Sequence, residues 1–252
     1  MSEIDTNRIK FLNTFIDNLT FSEAKEKVNQ LILEDGYHYV VTPNSDIIVK
    51  MQDDPDLKRI CDNADLILTD GQILVNISKK LGNSIKERVC MTDFVWYVFD
   101  LAVEKEYKVF FLGGKEDVLE KAIDNIKKKE PALQIADSYS PPFGFEKDER
   151  MLADVNERIR KSGADILIVF LGCPKQEKFI ALNKDKYQVP ISIPMGGCVD
   201  FIAGAVKRAP LWMQKIGLEW FFRFLQEPRR MWKRYFIDDM KIFRLVKKYK
   251  TR

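Results

Sequence analysis

Asp65-Leu66-Ile67-Leu68-Thr69-Asp70-Gly71 decides how the rest of the chain is read. Leu66 to Leu68 is an apolar run too short for a helix and suited to a strand buried in a parallel sheet. Thr69-Asp70-Gly71 ends it, and Gln72 to Leu81 reads as a helix that starts at once. Asp70 therefore stands at a strand's carboxyl end, facing a helix start, where open α/β sheets place their ligands. Two roles are open to its carboxylate. It can cap the helix, since Asp is a favoured N-cap, or it can serve as a general base.

The segments on either side repeat this strand-helix pattern. Arg8 to Asp17 alternates as an edge strand would, and Phe21 to Glu34 has helical spacing. Tyr37–Val41 is a predicted strand leaving through Thr42-Pro43-Asn44, with Ser45 or Asp46 available to cap the next helix. Helices are expected over Ile47–Met51, Asp56–Asn63, Asp93–Lys105, through Lys129, over 148–161 and after Glu177. Further strands are expected at Lys108–Leu112, Leu133–Ser138, Asp165–Leu171 and Val189–Pro194. This alternation predicts an α/β, Rossmann-like, mainly parallel sheet with helices on both faces. Residues 1–206 form that body. Residues 207–252 read as a helical appendage in which Trp212, Ile216, Trp220 and Phe224 share one face, Pro228 breaks the helix, and a second helix begins near Arg229.

The charge divides at the same place. From Lys207 onward there are 14 Lys and Arg against 4 acids, whereas the first 206 residues carry a net −7. A basic tail on an acidic body points to an anionic surface, either membrane or nucleic acid. Trp, Phe and Leu interleaved with the basic residues suit lipid better than a duplex, and the nucleic-acid reading is set aside on that ground. The N-terminus has no signal-peptide pattern and no stretch reaches the length of a spanning helix, so a membrane partner would be met peripherally. The apolar tail face could equally pack on a second copy of the chain, giving a homo-oligomer. Cys61, Cys90, Cys173 and Cys198 form no C-x-x-C, and His38 is the single histidine, which argues against zinc and for reduced cytoplasmic thiols.

Five strand exits carry groups useful to a ligand: Thr42-Pro43-Asn44, Thr69-Asp70-Gly71, Gly113-Gly114, Gly172-Cys173-Pro174-Lys175-Gln176-Glu177 and Gly196-Gly197. Glycines there let backbone N–H groups approach phosphate, and helix N-termini favour anions. A nucleotide-type ligand follows, although neither G-x-G-x-x-G nor a P-loop is present. His38 is expected to have a packed or surface role and not a catalytic one. Cys173, before a helix, could have a lowered pKa. Asp70 is the best candidate base, with Arg88, Lys175 and tail cations to stabilise a leaving phosphate. No D-x-D motif is visible at a strand exit, so metal-independent chemistry is expected.

Several blocks together resemble the WecG/TagA/CpsF glycosyltransferases. They are Val41–Asp46, Ala64–Gly71, Glu87-Arg88-Val89, Phe110–Gly114, Gly172–Glu177, Lys207–Met213, Gly217–Trp220 and Glu227–Arg230. The resemblance, closest to the TagA-like branch, implies transfer of N-acetylmannosamine from a UDP-sugar donor to N-acetylglucosamine on undecaprenyl diphosphate. The same family's alternative is another donor, UDP-N-acetylmannosaminuronic acid or a UDP-hexose, in other surface-polysaccharide synthesis. It implies the inner face of the cell membrane as the setting and wall teichoic acid as the destination. It assigns the base to Asp70 and active-site polar roles to Thr42, Asn44, Arg88 and Gln176. Arg223 and Arg230 match arginines of the family's C-terminal appendage. With Lys233 and the glycines of the exits, they are the expected substrate-binding groups.

Overall fold

The computed structural model describes residues 7–250, the side chains of Lys215, Arg230 and Lys250 excepted. Arg8 to Asp17 is a hairpin of its own, β1 (Arg8–Phe11) and β2 (Thr14–Asp17), where a single edge strand was expected. The buried Asp17 carboxylate accepts two bonds from Arg8 at 2.7 and 2.9 Å and the Ile67 N–H at 2.7 Å, fastening the hairpin to the sheet. Then come α1 (Phe21–Leu33), β3 (His38–Val41), α2 (Ser45–Lys50), α3 (Pro55–Asp62), β4 (Leu66–Ile67), α4 (Gln72–Leu81) and α5 (Met91–Lys105). The body continues with β5 (Lys108–Gly113), α6 (Glu116–Lys129), β6 (Gln134–Tyr139), α7 (Glu149–Ser162), β7 (Ile166–Phe170), α8 (Lys175–Tyr187), β8 (Ile191–Pro194) and α9 (Cys198–Ile202).

β3 to β8 form one six-stranded parallel sheet in the order β4-β3-β8-β7-β5-β6. Alternate residues of each strand enter opposite apolar layers, as the two-residue period requires. Phe110, Leu112, Leu167 and Val169 face the layer shared with α2, α3, α4, α7 and α8. Val109, Phe111, Ile166 and Ile168 face α1, α5, α6 and α9. Both faces are covered, so the loops after the strands are the places left for polar chemistry.

The appendage is more broken than its periodicity predicts. α10 (Leu211–Lys215) stops before Gly217, and α11 (Glu219–Gln226) is followed at Pro228 by α12 (Pro228–Lys233). A π turn over Arg234–Asp238 and a 3-10 turn over Asp239–Lys241 lead into α13 (Ile242–Lys250). Gly217 sits where an added β-carbon would lie 3.0 Å from Gln72 Cγ, so the break lets the chain pass close over α4. Ile242 and Leu245 are buried in the same apolar layer as α2, which anchors the tail to the body. Among the described residues no helix is long and apolar enough to cross a membrane.

Gly113 has φ +96°, and a β-carbon there would stand 2.8 Å from Leu171 Cδ2 and 3.0 Å from the Phe170 carbonyl oxygen. Gly82, closing α4 at φ +83°, has open space around it. Gly113→Ala should therefore lose about 2–4 kcal/mol in urea unfolding, strain and overlap together, and Gly82→Ala only about 1–2 kcal/mol, from strain alone. Equal losses would show that the contact with β7 carries no weight.

Candidate active site

The exits of β3 and β4 are tied side by side. The Asp70 N–H donates to the Pro43 carbonyl at 3.2 Å, and a β-carbon on Gly71 would lie 3.9 Å from Asn44 Cβ. Asp70 does not cap α4: Gly71 is the N-cap and no side chain serves it. The Asp70 carboxylate instead accepts a backbone hydrogen bond from Met91, and burial pushes its pKa up to about 6. The Arg88 guanidinium and, from the tail, Arg234 pull it down, while the Glu219 carboxylate pushes it up. Asp70 is thus mostly ionised near pH 7 yet close enough to that pH to take a proton, as general-base work requires.

Asn44 caps α2, its side-chain oxygen accepting the Ile47 N–H at 3.1 Å, so neither Ser45 nor Asp46 is the cap. Thr42 is buried between β3 and that cap. Arg88, in the loop before α5, donates to Glu219 at 3.2 Å. Glu219 also accepts from Arg208 Nε at 3.3 Å, and Arg208 holds Asp93 with its two terminal nitrogens. Asp70, Arg88, Glu219, Arg208 and Asp93 therefore make a chain of alternating charge at the sheet edge.

Gln176 is a strut. It is buried, its oxygen accepts the Gly172 and Gly196 N–H groups at 3.1 and 3.0 Å, and its amide donates to Glu177 at 2.9 Å. The expected cradle of glycine N–H groups is accordingly turned inward in large part. Gly172 and Gly196 are committed to Gln176, and the Gly114 N–H donates to the Phe170 carbonyl at 3.1 Å. Gly113 is a packing residue between β5 and β7. Gly71 opens α4 with no side-chain cap, which leaves that turn suited to an anion, whereas the turn at Gly197 already has the Asp200 carboxylate beside it.

Lys175 turns away from Asp70, pairing with Glu146 at 2.9 Å and lying 4.2 Å over the Phe143 ring. Arg223 pairs with Glu227 at 2.6 Å and Asp200 at 3.5 Å and stacks 4.8 Å from the Phe201 ring, at the exit of β8 and not beside Asp70. Lys233 is exposed on α12, and the Arg230 side chain lies outside the described residues. The tail groups that act on Asp70 are Glu219 and Arg234. Arg208 and Glu219 lie inside sequence blocks that stood out for their match to a family, and that match was the one signal that could have found them. Cys173 does not have the lowered pKa its position suggested; burial and the nearby Glu177 push its thiol up. His38 is a packed residue, as expected, held to Asp65 at 3.1 Å.

A protein of Bacillus spizizenii is 34% identical over 196 residues, 78% of this chain and 74% of the relative. One of Bacillus subtilis is 32% identical over 223 residues, 88% and 81%. One of Staphylococcus aureus is 25% identical over 229 residues, 90% and 88%. Each of the three is named N-acetylglucosaminyldiphosphoundecaprenol N-acetyl-beta-D-mannosaminyltransferase. Residues 9–252 match the glycosyl transferase WecG/TagA/CpsF family across almost the whole chain, and the protein belongs to that family.

Proposed function

We propose that this protein transfers N-acetylmannosamine from UDP-N-acetylmannosamine to N-acetylglucosamine on undecaprenyl diphosphate, with inversion. The three relatives' names support the transferred sugar and the acceptor alike. The observation that carries the chemistry is Asp70, a carboxylate raised to about 6 at the sheet edge with Arg88 beside it. Asp70 takes the proton from the acceptor's attacking hydroxyl. The hydroxyl oxygen forms the new bond to the anomeric carbon, the bond from that carbon to the diphosphate breaks, and UDP leaves with the electron pair. Arg88 stands where negative charge grows on the departing diphosphate. We propose that Arg88 and cations of the tail do this work without a divalent metal.

We also propose that the tail works at the cytoplasmic face of the membrane. Leu211, Trp212, Ile216, Leu225, Trp232 and Phe243 are exposed among many Lys and Arg. Such a surface rests its apolar side at headgroup level and draws anionic lipid to its charges. Catalysis at the bilayer then brings the lipid-linked acceptor to Asp70.

Asp70→Asn should slow turnover by about 10²–10⁴-fold with the fold intact, measured as UDP release with a short-chain lipid-diphosphate acceptor. Full activity in that variant removes Asp70 as the base.

The base acts deprotonated, so the wild-type rate should fall as pH drops through about 6 and level off above it. Arg234 favours the charged form, so Arg234→Met should raise the Asp70 pKa and move the falling limb to higher pH. A limb that stays put in Arg234→Met excludes Arg234 from the site's electrostatics.

EDTA should leave the rate unchanged, and loss of activity restored by Mg²⁺ overturns the metal-free reading. Vesicles with anionic lipid should carry the protein in flotation, with neutral vesicles carrying much less; no difference between the two removes the electrostatic part of the membrane contact.

A further inference from the structure

Two guanidinium groups from distant parts of the chain converge on one carboxylate. Arg88 Nη1 meets one oxygen of Glu219 at 3.2 Å, and Arg208 Nε meets the other at 3.3 Å. Both distances exceed the roughly 2.7–2.9 Å of a tight charge-assisted bond, so the carboxylate bridges the pair loosely. The three side chains retain 17%, 27% and 20% of their surface, in the order Arg88, Arg208, Glu219. Solvent, and anything dissolved in it, reaches all three. Arg208 is held by the Asp93 carboxylate through its terminal nitrogens, which fixes the direction of its Nε–H. Arg88 also interacts electrostatically with Asp70.

A bracket of two oriented guanidinium groups is built for a ligand with more charge and more acceptor oxygens than one carboxylate. We propose that Arg88 and Arg208 bind the diphosphate of the nucleotide donor and that Glu219 is its exchangeable internal substitute. This rests on the donor reading above and adds to it a second arginine and a carboxylate that must be displaced. Diphosphate binding releases Glu219 and loosens the start of α11 from the sheet edge. The helix does not detach, because Arg223, one turn further on, keeps its own ties to Asp200 and to Glu227. The turn at Gly217, φ +77°, lies two residues before Glu219, and a glycine backbone changes conformation there more readily than any other residue's.

The test is calorimetric titration of the full-length protein in detergent with UDP and, separately, with inorganic pyrophosphate. Glu219→Gln keeps the side chain's shape and removes the competing charge, so it should bind both ligands about tenfold more tightly, the size expected for one charge-assisted contact. Arg208→Gln should bind both about tenfold more weakly, and adding Glu219→Gln to it should recover less than the gain seen alone. Hydrogen exchange on the wild type should speed up at residues 218–222 when pyrophosphate is added. Unchanged or weaker binding by Glu219→Gln, with a wild-type melting curve, overturns the proposal and leaves Glu219 a structural tie. If Arg208→Gln does not fold, the Glu219→Gln titration and the exchange measurement still decide. Wild-type protein that binds pyrophosphate but not UDP sinks the donor reading and keeps the bracket; binding of neither overturns the bracket.

Discussion

Apolar layers cover both faces of the six-stranded sheet, and that constraint governs the rest of the molecule. No polar group can act from within those layers without a large desolvation penalty. The carboxyl edge of the strands is where backbone groups run out of ladder partners, and there the chain gathers its charges. One buried side chain keeps that edge in shape: the Gln176 oxygen joins the exits of β7 and β8, accepting the Gly172 N–H and sharing the Gly196 N–H with the Val169 carbonyl. The edge is rigid where Gln176 holds it and electrostatically active where Asp70 and Arg88 stand.

Charges from three separate segments set the state of Asp70. Burial works against the carboxylate, and a rise from 3.8 to about 6 corresponds to about 3 kcal/mol against ionisation. Arg88 from the body and Arg234 from the tail resist that rise, while Glu219, also from the tail, adds to it. The linkage to stability has the opposite sense from the linkage to activity. A carboxyl whose folded pKa is raised binds its proton more tightly when folded, so it contributes most stability at low pH and loses it as pH rises from about 4 to about 6. The group that enables the reaction is one the fold would rather keep neutral.

The sheet was legible because its strands are short apolar runs closed by glycine or by polar exits. Leu66–Leu68 and Asp165–Leu171 could be little else, and the position of Asp70 followed from the first of them. Local competition was harder to read. Asn44, Ser45 and Asp46 are all capable caps, and the choice of Asn44 rests on backbone geometry that composition does not encode. Gly114, Gly172 and Gly196 had the right residue type for a phosphate cradle, but the direction of an N–H depends on a partner such as Gln176 or Phe170 across the sheet edge. The pairing of Arg88 with Glu219 spans 131 residues, and no periodicity or spacing rule reaches that far. The tail's uniform apolar face hid its breaks at Gly217 and at the π turn from Arg234.

The burial of Ile242 and Leu245 beside α2 also bears on how the protein is made. A chain emerges from the ribosome in order, and its early parts begin to fold first. Here the early parts cannot finish. The apolar surface of α2, formed from residues 45–50, waits for a partner supplied much later by α13. Glu219, Arg234 and α13 are made well after the sheet, so the site around Asp70 acquires these charges only once they have emerged. A nascent chain stalled before that point would have its sheet but neither the cover over α2 nor the charges that tune its carboxylate.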